Sequence, residues 1–200
     1  GCTVNDEISM KNYLNKYIDD FSNLIISSKE ISDNLLAVKD ALVSASKKGN
    51  KTIIVGNGGS AAIASHVAVD LTKNAKIRCI NFNESDLITC FANDYGYEHW
   101  VEKAVEFYGD EGDVFISISS SGSSENILYG CLAAREKNFS KVITLSGMGA
   151  DNPLRKMGDI NLWADSKAYN YIENIHQFWL LAVVDLIIGK TEYSAKPDES

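Results

Sequence analysis

The sequence predicts an α/β protein: a three-layer αβα sandwich around a five-stranded parallel sheet, preceded by an N-terminal helical extension. Three observations lead there. From Lys51 onward short β-branched apolar runs recur. Between them lie segments whose apolar residues repeat at helical spacing. No internal repeat, low-complexity block or Pro/Ser-rich linker divides the chain, and 200 residues suit one domain.

Residues 7–28 carry Tyr13, Tyr17, Phe21, Leu24 and Ile25 at spacings of three and four, an amphipathic helix. Residues 30–48 repeat the pattern with Ile31, Leu35, Leu36, Leu42 and Val43. Neither helix has a sheet of its own to cover, so residues 1–50 are expected to pack on a neighbouring subunit. The expected strands are TIIVG (52–56), IRCIN (77–81), DVFISIS (113–119), KVITLS (141–146) and DINLWA (159–164). Helical spacing covers 60–73, 99–108, 124–137 and 169–188. Apolar strands alternating with helices indicate a parallel sheet covered on both faces, and right-handed crossovers make it doubly wound. This unit spans residues 51–190, leaving 191–200 as a tail.

The chain is 45% apolar and 23% charged, with 14 Gly and 2 Pro, which excludes disordered, collagenous and disulfide-scaffold classes. Nineteen Lys and Arg face 27 Asp and Glu, a formal charge of −8, and the pI is about 4.9. That balance argues against nucleic acid and against an anionic membrane as partners. An anionic ligand must then be held by a local device. Of the four cysteines, Cys2, Cys79, Cys90 and Cys131, none forms a CxxC pair, and Cys79 and Cys131 sit in apolar runs as buried thiols do. A reducing compartment suits them. The N-terminus has no signal-peptide core, and residues 178–188 are too few to span a bilayer and include Asp185. The expectation is a cytoplasmic protein with no membrane association.

In doubly wound folds ligands bind beyond the carboxyl ends of the strands, near the switch point. Two strand ends are unusual here. VGNGGSAA (55–62) passes through a Gly-rich turn into a helix, and SISSSGSSEN (117–126) ends in a nearly pure Ser/Gly tract. Small residues let the backbone approach a ligand closely. Free N–H groups at a helix start, with serine hydroxyls, donate to phosphate oxygens without Lys or Arg. GNGGSA is not a GxGxxG turn and no GxxxxGK[ST] motif is present, so both nucleotide motifs are excluded. Two such loops in one small domain point to a phosphate.

GNGGSAA, SH at 65–66, ANDYG at 92–96, SSSGSS at 119–124 and LSG at 145–147 occur in the order and spacing of the sugar-isomerase (SIS) family. Over roughly residues 10–190 the chain resembles its sedoheptulose 7-phosphate isomerase branch, also called the phosphoheptose isomerases. The resemblance implies the five-stranded sandwich, a homotetramer built partly on the N-terminal helices, and active sites at subunit interfaces. It implies conversion of sedoheptulose 7-phosphate into a glycero-manno-heptose 7-phosphate for the lipopolysaccharide or capsule of bacteria. It assigns Ser119, Ser120, Ser121 and Ser124 to the phosphate, and Asn57, Gly58 and Ser60 to the loop that holds sugar hydroxyls. Asp94 matches an acid that faces the substrate. His66 and Asp70 fall where the family has His and Glu, and Glu173 where it commonly has Gln.

Aldose–ketose isomerisation moves a proton between C1 and C2 through an enediol, which needs a base, an acid and stabilisation of an oxyanion. Asp70 is the expected base, with His176 or Glu173 as its partner. The resemblance also implies zinc in some members, for which His66, Asp70 and Glu173 stand in position. Two residues depart from the pattern. Asp70 is one methylene shorter than the family's Glu, and Leu181 replaces a second histidine five residues after His176. These departures leave open a non-catalytic sugar-phosphate regulator or adaptor, and an isomerase of a different sugar phosphate. Tyr169, Asn170 and Tyr171 precede the last helix; their default reading is aromatic packing, with the tyrosine hydroxyls within reach of a ligand.

Overall fold

The computed structural model describes residues 6–196. Helices α1 (Glu7–Ser27) and α2 (Ser32–Lys47) lead into β1 (Thr52–Gly56). There follow α3 (Gly58–Lys73), β2 (Cys79–Ile80), α4 (Ser85–Tyr95), α5 (Trp100–Tyr108) and β3 (Val114–Ile118). The chain closes with α6 (Glu125–Glu136), β4 (Lys141–Ser146), β5 (Ile160–Trp163) and α7 (Tyr169–Ile188). All strands are parallel, in the order β2-β1-β3-β4-β5. The expected sandwich is the one observed.

Side chains alternate across the pleat and feed two cores. Ile54, Ile116, Ile143 and Leu145 face α2, α3 and α7, where Val38, Leu42, Ile63, Leu71, Ile175 and Trp179 meet them. Ile53, Val55, Phe115 and Val142 face α5 and α6, against Trp100, Val101, Val105, Ile127 and Cys131. α7 is long and apolar enough, by length and composition, to cross a membrane. Here Ile172, Ile175, Trp179, Leu180, Val183 and Val184 are buried within the protein core.

The chain leaves β1 in one direction for β2 and returns on its other side for β3, so the switch point lies between β1 and β3. These two strands pair over five residues, from Thr52 with Val114 to Gly56 with Ile118. Their entry ends are locked by a buried ion pair. Asp113, whose side chain is 1% exposed, lies 2.7 Å from Lys51 Nζ. Its carboxylate also accepts from the backbone N–H of Lys51 (3.1 Å) and Asp110 (2.9 Å) and from Asn50 Nδ2 (3.0 Å). Burial pushes this carboxyl up, but those donors outweigh it and hold its pKa below the usual range.

Several expectations need correction. The helix pair was expected to have no sheet to cover, yet α2 buries Val38, Ala41, Leu42 and Ala45 in the core. α1 buries no residue fully, and Phe21, Leu24 and Ile25 only edge the core. The strand expected over 77–81 shrinks to the two residues of β2, an edge strand with one neighbour. α3 starts at Gly58 rather than at residue 60. α4 was not expected at all. Thr, Cys, Asn and Asp are weak helix formers, and α4 is started by Glu84, whose carboxylate accepts from the N–H of Asp86 and Leu87. Cys79 and Cys131 are buried as expected; Cys2 lies outside the described residues.

Asp113→Ala should lower the unfolding free energy in urea by about 3 kcal/mol, because it strips two backbone N–H groups of their acceptor and leaves Lys51 only the exposed Asp110 carboxylate at 2.8 Å. Lys51→Met, which removes the charge and keeps the stem, should cost less.

Candidate active site

Gly56 and Ile118 sit side by side at the carboxyl ends of β1 and β3, so the loops that follow start from one rung. Gly56 has to be glycine: a Cβ there would lie 2.6 Å from the Ser60 backbone. The tight turn delivers Asn57 and Ser60 to the face of the serine loop. A cavity of about 190 Å³ forms between the loops, lined by Asn57, Ser60, Ser119, Ser120, Ser121, Ser124, Tyr169 and Glu173 together with Ile118. No Lys or Arg lines it.

The serine loop is ordered by its own hydroxyls. Ser119 Oγ donates to Ser124 Oγ (3.2 Å) and accepts from the Gly122 N–H (3.2 Å), while Ser121 Oγ accepts from the Ser123 N–H (3.2 Å). Ser124 is the N-cap of α6 and Asn57 that of α3, but neither side chain caps its helix. The opening amides of both helices are thus left free to serve an anion. Ser120 Oγ is buried with no hydrogen-bond partner. A buried hydroxyl without a partner is costly, and this one borders the cavity.

Glu173 joins the cradle to a second cavity. Its carboxylate lies against Gly59, where a Cβ would be 2.6 Å from Oε2. The second cavity, about 370 Å³, is lined by Glu173, Gly59, His66, Asn170, Asn174 and Gln177, with Ala62 and Ile63. His66 Nδ1 accepts from Gln177 Nε2 at 2.7 Å, so the imidazole proton resides on Nε2, 3.4 Å from Asp70 Oδ2. Together the cavities reach the size of ordinary small-molecule sites, about 300–1,000 Å³.

Residues 16–147 match the SIS domain family. The chain belongs to that family. It is 31% identical over 182 residues, 87% of this chain and 92% of the other, to the phosphoheptose isomerase of Fusobacterium nucleatum. To phosphoheptose isomerase 2 of Campylobacter jejuni it is 38% identical over 158 residues, 70% of this chain and 77% of that one. The solved structure of a phosphoheptose isomerase from Francisella tularensis superposes with a TM-score of 0.83 at 29% identity, covering 90% of this chain and 98% of that one.

Within this SIS domain the sequence-predicted residues do not all come together. Asn57, Ser60, Ser119, Ser120, Ser121, Ser124 and Glu173 meet at the cradle. Gly58 opens α3 with φ +52°, a turn residue that does not line the cavity. Asp94 lies elsewhere, at the end of α4 in a cavity with Cys90, Phe91, Tyr95, Phe107 and Tyr108. Asp70 lies one turn beyond His66 and lines neither cavity of the site.

The expectation of a catalytic His176 also needs correction. It is fully buried, and Nε2 donates to the Ser146 carbonyl at 2.8 Å. Tyr169, read by default as packing, lines the cradle, whereas Tyr171 packs on Tyr17 with ring centroids 4.7 Å apart. Gln177 escaped the sequence reading; its spacing of four from Glu173 was the available signal.

A zinc ion fits these residues only in part. His66 Nε2 and Asp70 Oδ2 stand at the separation of two donors on one tetrahedral ion, about 3.3 Å for bonds near 2.0 Å. Among the described residues, however, no three His, Cys, Asp or Glu side chains converge. Glu173 does not join the pair, and Leu181 packs against the core. The donor set stops at half a site and does not fit a zinc centre.

Burial pulls the His176 pKa down from 6.5 to about 4, against the smaller opposing effect of the Ser146 bond. The unfolded chain therefore binds the extra proton first. Stability due to this group is complete above pH 6.5 and is lost as the pH falls toward 4, by at most about 3 kcal/mol. Thermal unfolding measured across that range should show the loss, and His176→Gln should flatten the pH dependence.

Proposed function

We propose that this chain is a phosphoheptose isomerase, an aldose–ketose isomerase that converts sedoheptulose 7-phosphate into a glycero-manno-heptose 7-phosphate. The observation that carries the proposal is the serine cradle, with its unpartnered Ser120 hydroxyl, opening through Glu173 onto the cavity that holds His66. A phosphate dianion is held at the serine end by hydroxyls and helix-start amides. Its charge repels the Glu173 carboxylate, which is thereby left to the sugar.

Distance selects the proton carriers. An extended seven-carbon phosphate, built from bonds of about 1.5 Å, reaches roughly 10 Å from phosphorus to C1. Along α3, at 1.5 Å per residue, His66 lies about 9 Å beyond Ser60 and Asp70 about 15 Å. C1 and C2 therefore lie near His66 and Glu173. In this reading Glu173 takes the proton from C1 and returns it to C2, while His66 moves the hydroxyl proton between O1 and O2. Gln177 holds the imidazole through Nδ1, and it is Nε2, whose contact with Asp70 is long at 3.4 Å, that turns to the substrate oxygens.

The rest of the reading follows the resemblance. The chain works as a homotetramer in the cytoplasm, and its product serves surface polysaccharide. The exposed apolar face of α1, with Ile8, Tyr13, Leu14 and Ile18, supports assembly. So does the groove of about 590 Å³ on α7, lined by Phe178, Leu181, Ala182 and Leu186 among others. Asp94 then serves the site of a neighbouring copy.

One observation favours a second reading, a regulator that binds sugar phosphates without turning them over: Leu181 removes a histidine that the family resemblance would supply. Incubation with sedoheptulose 7-phosphate, followed by NMR, separates the two. An aldose phosphate should accumulate, and Glu173→Gln should lower kcat by about 10²–10⁴-fold with little change in KM. Binding without product at high enzyme concentration supports the regulator instead, and turnover of other ketose phosphates alone moves the substrate.

A further inference from the structure

Asn57 stands at the start of α3, where such a residue usually caps the helix. Its side chain does something else. Nδ2 donates to Asn126 Oδ1 at 2.9 Å, and Oδ1 accepts from Asn126 Nδ2 at 2.8 Å, so the two carboxamides form a closed reciprocal pair. Oδ1 also accepts from the Tyr97 hydroxyl at 2.8 Å. Both lone pairs of that oxygen are then used, and one N–H remains. The amide of Asn57 is committed to protein through its oxygen and one of its two N–H groups.

The partners explain why this matters. Asn126 is 2% exposed, in the first turn of α6, two residues after Ser124 of the cradle. The pair thus ties the loop after β1 to the loop after β3, across the gap where the phosphate cavity lies. Tyr97 follows α4 and the glycine at position 96, so it ties the 92–96 segment to the same point. We propose that Asn126 and Tyr97 are positioning residues: through Asn57 they fix the separation of the two loops and so the width of the anion cradle. The cavity residues themselves hold each other only within the serine loop. Nothing else among the described side-chain hydrogen bonds joins that loop to the β1–α3 turn.

The inference deepens the isomerase reading, and its test reads binding rather than turnover. Inorganic phosphate is titrated calorimetrically into the wild-type protein and its variants. Asn126→Leu, which keeps the shape and removes the pair, should weaken phosphate about tenfold, the worth of about one buried hydrogen bond. Tyr97→Phe should weaken it about threefold. In Asn57→Ala the effect of Asn126→Leu should vanish, because both act on the same tie. Unchanged affinity in Asn126→Leu, or effects of Asn57→Ala and Asn126→Leu that multiply, would overturn the proposal. So would a wild-type protein that binds no phosphate.

If Asn126→Leu does not fold, Tyr97→Phe decides alone, since it deletes one exposed hydroxyl; affinity equal to wild type refutes the role. Where sedoheptulose 7-phosphate is turned over, Asn126→Leu should raise KM more than it lowers kcat, a split that simple loss of stability does not produce. Normal phosphate effects without any isomerisation would count against the isomerase reading and leave this one standing.

Discussion

The ion pair between Lys51 and Asp113 sits at the opposite end of the sheet from any ligand, yet the site depends on it. It fixes which residue of β1 faces which residue of β3 before either strand has run its five residues. A slip of one residue would turn every side chain to the other face. It would also stagger the glycine turn against the serine loop. Because the Asp113 carboxylate is buried and Lys51 nearly so, the two charges act at short range in a weakly screened setting. Asn50 and two backbone N–H groups complete the carboxylate's shell, so the burial is compensated. Register set at one end is spent as geometry at the other.

What the register delivers is the proposed anion site, inside an acidic protein. With a formal charge of −8, long-range steering works against a phosphate. Capture must come from contacts made at hydrogen-bond distance, where dipoles of hydroxyls and helix starts count fully and distant carboxylates are screened. The serine loop meets that need by spending some of its hydroxyls on its own shape and keeping Ser120 in reserve. The absence of Lys or Arg from the lining has a further effect. The cradle carries no full positive charge with which Glu173 could form an ion pair.

Much of this was legible in the sequence, and the limits have physical causes. Strands β1, β3 and β4 and helix α7 were readable because continuous apolar runs and a 3.6-residue period come directly from burial on both faces. The cradle was readable because two Ser/Gly loops end two strands of one small domain, whereas one alone would read as a connection. α4 was not, since its helix rests on a cap from Glu84 and on contacts with α5 rather than on helix-forming residues. His176 misled for the opposite reason. An imidazole in an apolar helix face looks the same in sequence whether it meets substrate or the Ser146 carbonyl. Asn126 and Tyr97 were invisible, because pairing between residues 69 and 40 positions away from Asn57 leaves no local pattern.

The two departures from the family pattern are best understood as one change. A short Asp70 and an apolar Leu181 both withdraw polar reach from the lower part of the gap between α3 and α7, the part farthest from the cradle. Leu181 gives that space to the core and to the groove beside Phe178. Nearer the cradle the polar groups are denser: Gln177 holds His66 one turn up, and Glu173 lies against Gly59 beyond them. An amide on Nδ1 does for an imidazole what an outer ligand does in a metal site, fixing ring and tautomer, but it leaves a neutral Nε2–H rather than a metal-bound nitrogen. With His66 so fixed and Glu173 within the span of a seven-carbon chain, the proposed reaction loses nothing by the retreat of Asp70. Its carboxylate, 3.4 Å from Nε2, flanks the ring on the side away from Gln177.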